Sequence, residues 1–333
     1  MAVLCLLCII ASQLTVVFSS AGNLWTYKGS LGPDHWHLDY PHCGGIRQSP
    51  IDLQTRNVVV DPTYLSPIEF SGYDRVSNLY YTLENNGHTV QVSLNDKTME
   101  ISGGGLGATY IAEQFHFHWG ATDERGSEHS LNGKNFPMEM HIVHYNKKYA
   151  NFSSSIDKTD GLAVLGFFFE VGRFNVHFQE IINHFGDIQY KNEHVNINSI
   201  PMIELIPARL TNYYRYLGSL TTPPCYESVI WTIFHETIEI AEEQLLEFRT
   251  TIFENNKTDG GVSIDISDDY RPVQCMFRRR LYASHPSLKY EAAVEETGNG
   301  NSGVSNGPHR ISLFFMYSVC TWFYYYFCSF MNM

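Results

Sequence analysis

Residues 114–119 read Gln-Phe-His-Phe-His-Trp, a strict alternation of polar and aromatic side chains. On a strand such a period of two becomes two faces. Gln114, His116 and His118 then share one side, and Phe115, Phe117 and Trp119 the other. Residues 139–144, Glu-Met-His-Ile-Val-His, place Glu139, His141 and Val143 together in the same way. A third segment, Leu162 to Phe169, is apolar throughout, which suggests a central strand covered on both faces.

Strand signals of this kind also mark Tyr80 to Leu83, Thr89 to Leu94 and Thr98 to Ser102, and they extend over Glu113 to Trp119, Glu139 to Asn146 and Leu162 to Val171. Helical periodicity is confined to two places. Phe178 to Phe185 gathers Ile181, Ile182 and Phe185, and Ala241 to Phe253 gathers Leu245, Phe248 and Ile252. No linker, repeat or low-complexity stretch interrupts residues 22–289, so the expectation is one mainly β (α+β) domain: a large sheet with short peripheral helices. With 44% hydrophobic residues the chain has a core to bury, which rules out a disordered protein. Its formal charge of -13 argues against a nucleic-acid partner, which requires a basic footprint.

The two ends differ from this domain. Residues 1–20 are apolar and run into Ser19, Ser20 and Ala21, the pattern of a secretory signal peptide, with a buried helix as the other reading. Residues 311–333 are 23 uncharged residues with nothing basic behind them. They follow a polar linker, 290–310, with small residues around Asn301. That order fits a glycosylphosphatidylinositol (GPI) attachment signal near Asn301 whose hydrophobic tail is removed; a retained transmembrane helix is the alternative. Either reading puts the protein in the secretory pathway and tethers it outside the cell. Of seven cysteines, Cys5 and Cys8 lie in the first segment and Cys320 and Cys328 in the last. Cys43, Cys225 and Cys275 remain, enough for one disulfide whose members composition does not select. Asn151 and Asn256 head N-x-[ST] triplets and are candidate glycosylation sites.

The histidines carry the chemistry. If the two His-bearing strands lie side by side, His116, His118 and His141 meet at one point, with Gln114 and Glu139 behind them. Three neutral imidazoles and one open position suit a catalytic zinc, and the amide and carboxylate suit the rings' outer N–H groups. An H-x-H pair alone is weak evidence, since satisfied core histidines are common.

More specific are Gly32-Pro-Asp-His-Trp-His37, Arg47-Gln-Ser-Pro-Ile-Asp52, Asn85-Asn-Gly-His88, Gln114 to Gly120, Gly126-Ser-Glu-His129, Glu139 to His144, Asp160 to Gly166 and Gly218-Ser-Leu-Thr-Thr-Pro-Pro224. In that order they resemble the α-class carbonic anhydrases of the secreted or GPI-anchored type, over about residues 25–285. The resemblance implies a mostly antiparallel twisted sheet and reversible hydration of CO2 to bicarbonate and a proton by zinc-bound hydroxide. It makes His116, His118 and His141 the ligands of Zn2+. Thr221 would accept the hydroxide proton, Glu128 would take the Thr221 hydroxyl hydrogen, and His88 would be the proton shuttle. It places Val143, Val164, Leu220, Thr222, Val229 and Trp231 around the substrate, and Tyr27, Asn86 and Gln91 on the polar side of the cavity. It pairs Cys43 with Cys225 and leaves Cys275 outside that bridge. His88, following Asn86-Gly87, is expected at an exposed strand start, titrating near 6.5 and free to swing. The rival readings are a catalytically silent extracellular binding domain on the same scaffold and a zinc hydrolase of unrelated substrate. For the anchor, phosphatidylinositol-specific phospholipase C is expected to release the protein from cells; retention after effective treatment favours the transmembrane helix.

Overall fold

A computed structural model describes residues 24–289, apart from 77, 79, 260 and 261. The readings made for residues 1–20, for 290–310 with Asn301, and for 311–333 lie outside the described residues. Among the described residues no helix is long and apolar enough to cross a membrane.

Thirteen strands form one mixed sheet. Its main path runs from His194–Ile197 through Tyr81–Asn85, Val90–Ser93, Tyr110–Trp119, Met138–Asn146, Leu162–Val171 and Val229–Phe234 to Tyr213–Gly218, then to the short pieces Tyr282–Ala283 and Val59–Val60. Neighbours are mostly antiparallel, but Leu162–Val171 runs parallel to Val229–Phe234 and Ile238–Ile240. Parallel pairing belongs to strands buried on both faces, and the apolar run behaves so. Ala163, Leu165, Phe167 and Phe169 enter one apolar cluster, while Leu162, Val164 and Phe168 enter another on the opposite face.

The expected helices form with other bounds, the first starting and ending earlier in the chain and the second shorter at both ends. Val176–Ile182 starts at Asn175, whose side chain accepts from the N–H groups of His177 and Phe178. Glu242–Thr250 buries Leu245 and Phe248 against the same face of the sheet, each such side chain contributing about 1.5–3 kcal/mol. Strands Tyr213–Gly218 and Val229–Phe234 carried no readable period. Arg215 is buried there, its guanidinium donating to Thr232 Oγ1 and to the Gly104 carbonyl, and a buried charge among tyrosines obscures the alternation.

One irregularity positions the site. Ala112 pairs with His144 and Gln114 with Val143, so Glu113 is an extra residue, a β-bulge. Ala112 thus shares the apolar face of Phe115, Phe117 and Trp119, although simple alternation would put it with Gln114.

Cys43 and Cys225 form a disulfide across a sequence separation of 182. Cys275, outside that bridge, is disulfide-bonded as well. The chain-entropy estimate for a loop of this length is about 5 kcal/mol, an upper figure. The Cys43→Ser/Cys225→Ser double variant is therefore expected to lose up to about 5 kcal/mol of unfolding free energy in a urea titration; an unchanged midpoint would refute it.

Candidate metal centre

Pairing of Tyr110–Trp119 with Met138–Asn146 sets His116 directly opposite His141, and His118 opposite Glu139. The ring centroids of His116, His118 and His141 lie 5.1, 5.3 and 4.7 Å apart, pair by pair. One ligand atom from each lies within 4.8 Å of the other two.

Each ring has its outer nitrogen committed. His116 Nδ1 donates to Gln114 Oε1 at 2.9 Å, His118 Nδ1 to the Asp269 carbonyl at 2.7 Å, and His141 Nε2 to Glu139 Oε1 at 2.8 Å. These acceptors fix the tautomers and leave lone pairs on His116 Nε2, His118 Nε2 and His141 Nδ1. Burial lowers His116 well below the usual imidazole value and, with Glu139 pulling the other way, also lowers His141. Burial alone would raise the Glu139 carboxyl, but His129 and His141 hold it below the usual carboxylate range.

These residues fit a zinc ion. His118 Nε2 and Glu128 Oε2 are buried without a hydrogen-bond partner. Glu128 Oε2 lies 3.4 Å from His118 Nε2 and 3.9 Å from His141 Nδ1. Lone pairs facing a carboxylate oxygen are costly away from water, and a cation relieves that cost. Three neutral imidazoles are also the donor set of catalytic zinc sites. In contrast, the bond from Thr221 to Glu128 implied by the resemblance is not formed. Glu128 Oε1 is taken by the main-chain N–H of Arg271 at 2.9 Å, and Oε2 faces the imidazoles.

Thr221 is buried in the loop after Tyr213–Gly218, close in sequence to Cys225, whose N–H closes a turn onto the Thr222 carbonyl at 2.9 Å. Thr222 itself is half-buried. Val164 lies opposite both Val143 and Trp231 in neighbouring strands. With Val229 they form one buried cluster, and Leu220 packs on its edge. Gln91 stands opposite His116 and donates to Glu84 Oε1 at 2.7 Å. Asn86 accepts the N–H groups of His88 and Thr89, so its side chain shapes that turn. Tyr27 and His88 line a cavity of about 250 Å³ with Trp25, Lys191 and Asp269. Burial and the Glu128 and Asp269 carboxylates raise Tyr27 well above the usual phenol value. Exposed Asn151 caps the short helix Phe152–Ser155, whereas half-buried Asn256 accepts from Asn192 Nδ2 at 3.0 Å.

His88 departs from expectation. It is half-buried and stacked on Trp25, with ring centroids 3.8 Å apart and planes 10° from parallel. Burial, with a smaller push from Lys191, lowers it to about 4. The expectation of an exposed ring overlooked Trp25, about sixty positions away in sequence. Sequence reasoning also missed Asp269, which holds His118 through a main-chain carbonyl that no side-chain pattern reveals. His129 lay inside a quoted motif but had no role; it bonds Glu139 at 2.7 Å.

The family model described as eukaryotic-type carbonic anhydrase matches residues 31–285. The chain is 40% identical over 270 residues to carbonic anhydrase 12 of Homo sapiens, covering 80% of this chain and 75% of that protein. It is 37% identical over 277 residues to carbonic anhydrase 6 of Homo sapiens, covering 81% and 86%. Carbonic anhydrase 6 of Bos taurus is 36% identical over 286 residues, covering 83% and 86%.

The depressed value of His88 has a definite sign. The unfolded ring takes up its proton near 6.5 and the folded ring only near about 4, so stability is lost as pH falls across that window and the cost is complete below it. In urea titrations of metal-free protein, His88→Gln is expected to lose less stability than the parent between pH 7 and 4.5. Identical losses would overturn this.

Proposed function

Because the chain belongs to the eukaryotic-type carbonic anhydrase family, we propose that it catalyses the reversible hydration of CO2 to bicarbonate and a proton as a zinc-dependent carbonate dehydratase. The observation that carries this reading is the convergence of three imidazole lone pairs, from buried His118 and His141 and half-buried His116, beside an unpartnered carboxylate oxygen. His116, His118 and His141 would hold Zn2+, which when bound makes a nucleophile available from water near neutral pH; carbonic anhydrase is the standard worked case of that effect.

This chain's own residues do the rest. Val143, Val164, Leu220, Val229 and Trp231 offer CO2 an apolar wall and keep bulk water from it. Thr222 stands at the rim. Glu128, acting only as an acceptor while ionised, takes the Thr221 hydroxyl hydrogen. Neither side chain is so placed in the arrangement described above, and the bond forms when one of the two turns toward the other. The Thr221 oxygen is then left to accept from the attacking water, fixing its orientation. His88 exports the proton. Against Trp25 it is too weak a base for the task at neutral pH, so it works by leaving the stack, where a hydrated imidazole titrates near 6.5. Tyr27, Asn86 and Gln91 provide polar footing for water between the two.

The Cys43–Cys225 bridge supports an oxidising compartment. We assign the protein to the extracellular face of the cell membrane, with residues 1–20 as signal peptide, Asn151 and Asn256 as glycosylation sites, and residues 311–333 as the signal for a GPI anchor at Asn301. Stopped-flow CO2 hydration by the purified protein tests the activity. Fast hydration that is lost on zinc chelation and regained on adding zinc back is expected. A folded, zinc-loaded protein with no hydration above buffer would sink the proposal in favour of the silent binding domain.

A further inference from the structure

We propose that Tyr216 and Ser49 are positioning residues, tying the zinc-ligating His141 to the loop that carries Thr221; this deepens the functional reading above and rests on it. The chain of contacts begins at Glu139. Its Oε1 accepts from His141 Nε2 at 2.8 Å and from His129 Nδ1 at 2.7 Å, and its Oε2 accepts the His129 main-chain N–H at 2.8 Å. His129 Nε2 then meets the Tyr216 hydroxyl at 2.7 Å, and that hydroxyl meets Ser49 Oγ at 2.8 Å. Ser49 and Ser219 close the path reciprocally. The Ser219 N–H donates to Ser49 Oγ and the Ser49 N–H to Ser219 Oγ, both at 3.0 Å. Ser219 stands two positions before Thr221.

Every member is out of water. Glu139, His129, Ser49 and Ser219 are 0% exposed and Tyr216 is 1% exposed. A hydroxyl removed from such a chain is not replaced by solvent, so its neighbours must shift or stay unpaired. Trp231 clamps the same groups from the side. Its ring lies 4.7 Å from that of His141 and 4.8 Å from that of His129, and its Nε1 donates to the Ser219 carbonyl at 3.0 Å. The approach of Ser49 also requires a glycine at 218, where an added Cβ would come within 2.1 Å of Ser49 Oγ. The orientation of a metal ligand and the placement of the hydroxyl that aims the nucleophile are therefore held by one continuous set of bonds. Burial raises the Tyr216 phenol well above its usual value, so the hydroxyl keeps its hydrogen.

The test uses the full chain with Tyr216→Phe, Ser49→Ala and a remote core control, Ile181→Val. Three quantities are read beside the melting temperature: the rate of zinc release to a chelator, the visible spectrum of the cobalt-substituted protein, and kcat separately from KM for CO2. Both hydroxyl variants are expected to release zinc about 10-fold or more faster, to shift the cobalt bands, and to lower kcat rather than raise KM. Ile181→Val should keep parent values in all three. Lower melting temperatures with zinc release and cobalt spectra of the parent would mean a merely structural role and overturn the proposal. Ser49→Ala, which deletes one hydroxyl, decides the matter if Tyr216→Phe does not fold. A parent that binds zinc without hydrating CO2, with variants that release zinc faster, would sink the functional reading and leave this tie standing.

Discussion

The hydrogen-bonded register between Tyr110–Trp119 and Met138–Asn146 governs everything else at the site. It sets His116 against His141 and His118 against Glu139. Because side chains alternate, a slip of one residue by either strand would turn that strand's own imidazoles toward the apolar cluster and part His116 and His118 from His141. The bulge at Glu113 keeps that arrangement while still burying Ala112. One strand further on, Gly166 lies opposite His141. A Cβ there would stand 3.1 Å from Glu139 Oε1 and 2.6 Å from Ile233 Cδ1. The absent side chain is what lets a carboxylate sit behind a histidine inside the sheet.

Around this register the molecule builds a dry polar layer against one of its two apolar faces. Charged groups there are held chiefly by one another, with Glu128 Oε2 the exception that faces the imidazoles. Glu139 is held by two imidazoles and a main-chain N–H. Arg271, 2% exposed, donates to the carbonyls of Cys43 and Ser49 and to Gln48, while its main-chain N–H holds Glu128. The disulfide, Arg271 and the histidine cluster are thus one connected structure. Cys43–Cys225 braces the Thr221 loop from outside, and the Ser49–Ser219 pair braces it from within. Removing one partner from such a set leaves the others unpaired out of water, which costs more than the bond itself contributes.

His88 shows the opposite regime. It stands at a cavity wall, held by a flat contact with Trp25 rather than by hydrogen bonds of its ring. Such a contact is worth about 0.5–1.5 kcal/mol beyond the area it buries. The fold therefore fixes the groups that must not move and leaves loosely held the one whose proposed task is to carry a proton away.

Much of this was legible from residues alone, because period two is a local property. The faces of Gln114, His116 and His118, the double burial of Leu162–Phe169, and the two amphipathic helices all follow from side-chain order. The family followed from motifs kept in sequence. What stayed hidden was set by residues far apart in the chain. Trp25 meets His88, and the Asp269 carbonyl meets His118. Tyr216 meets His129, and Glu128 faces imidazoles in place of Thr221. Alternation says which side of a strand a group occupies; only the packed sheet decides what stands across from it, how dry the place is, and so which nitrogen keeps its proton.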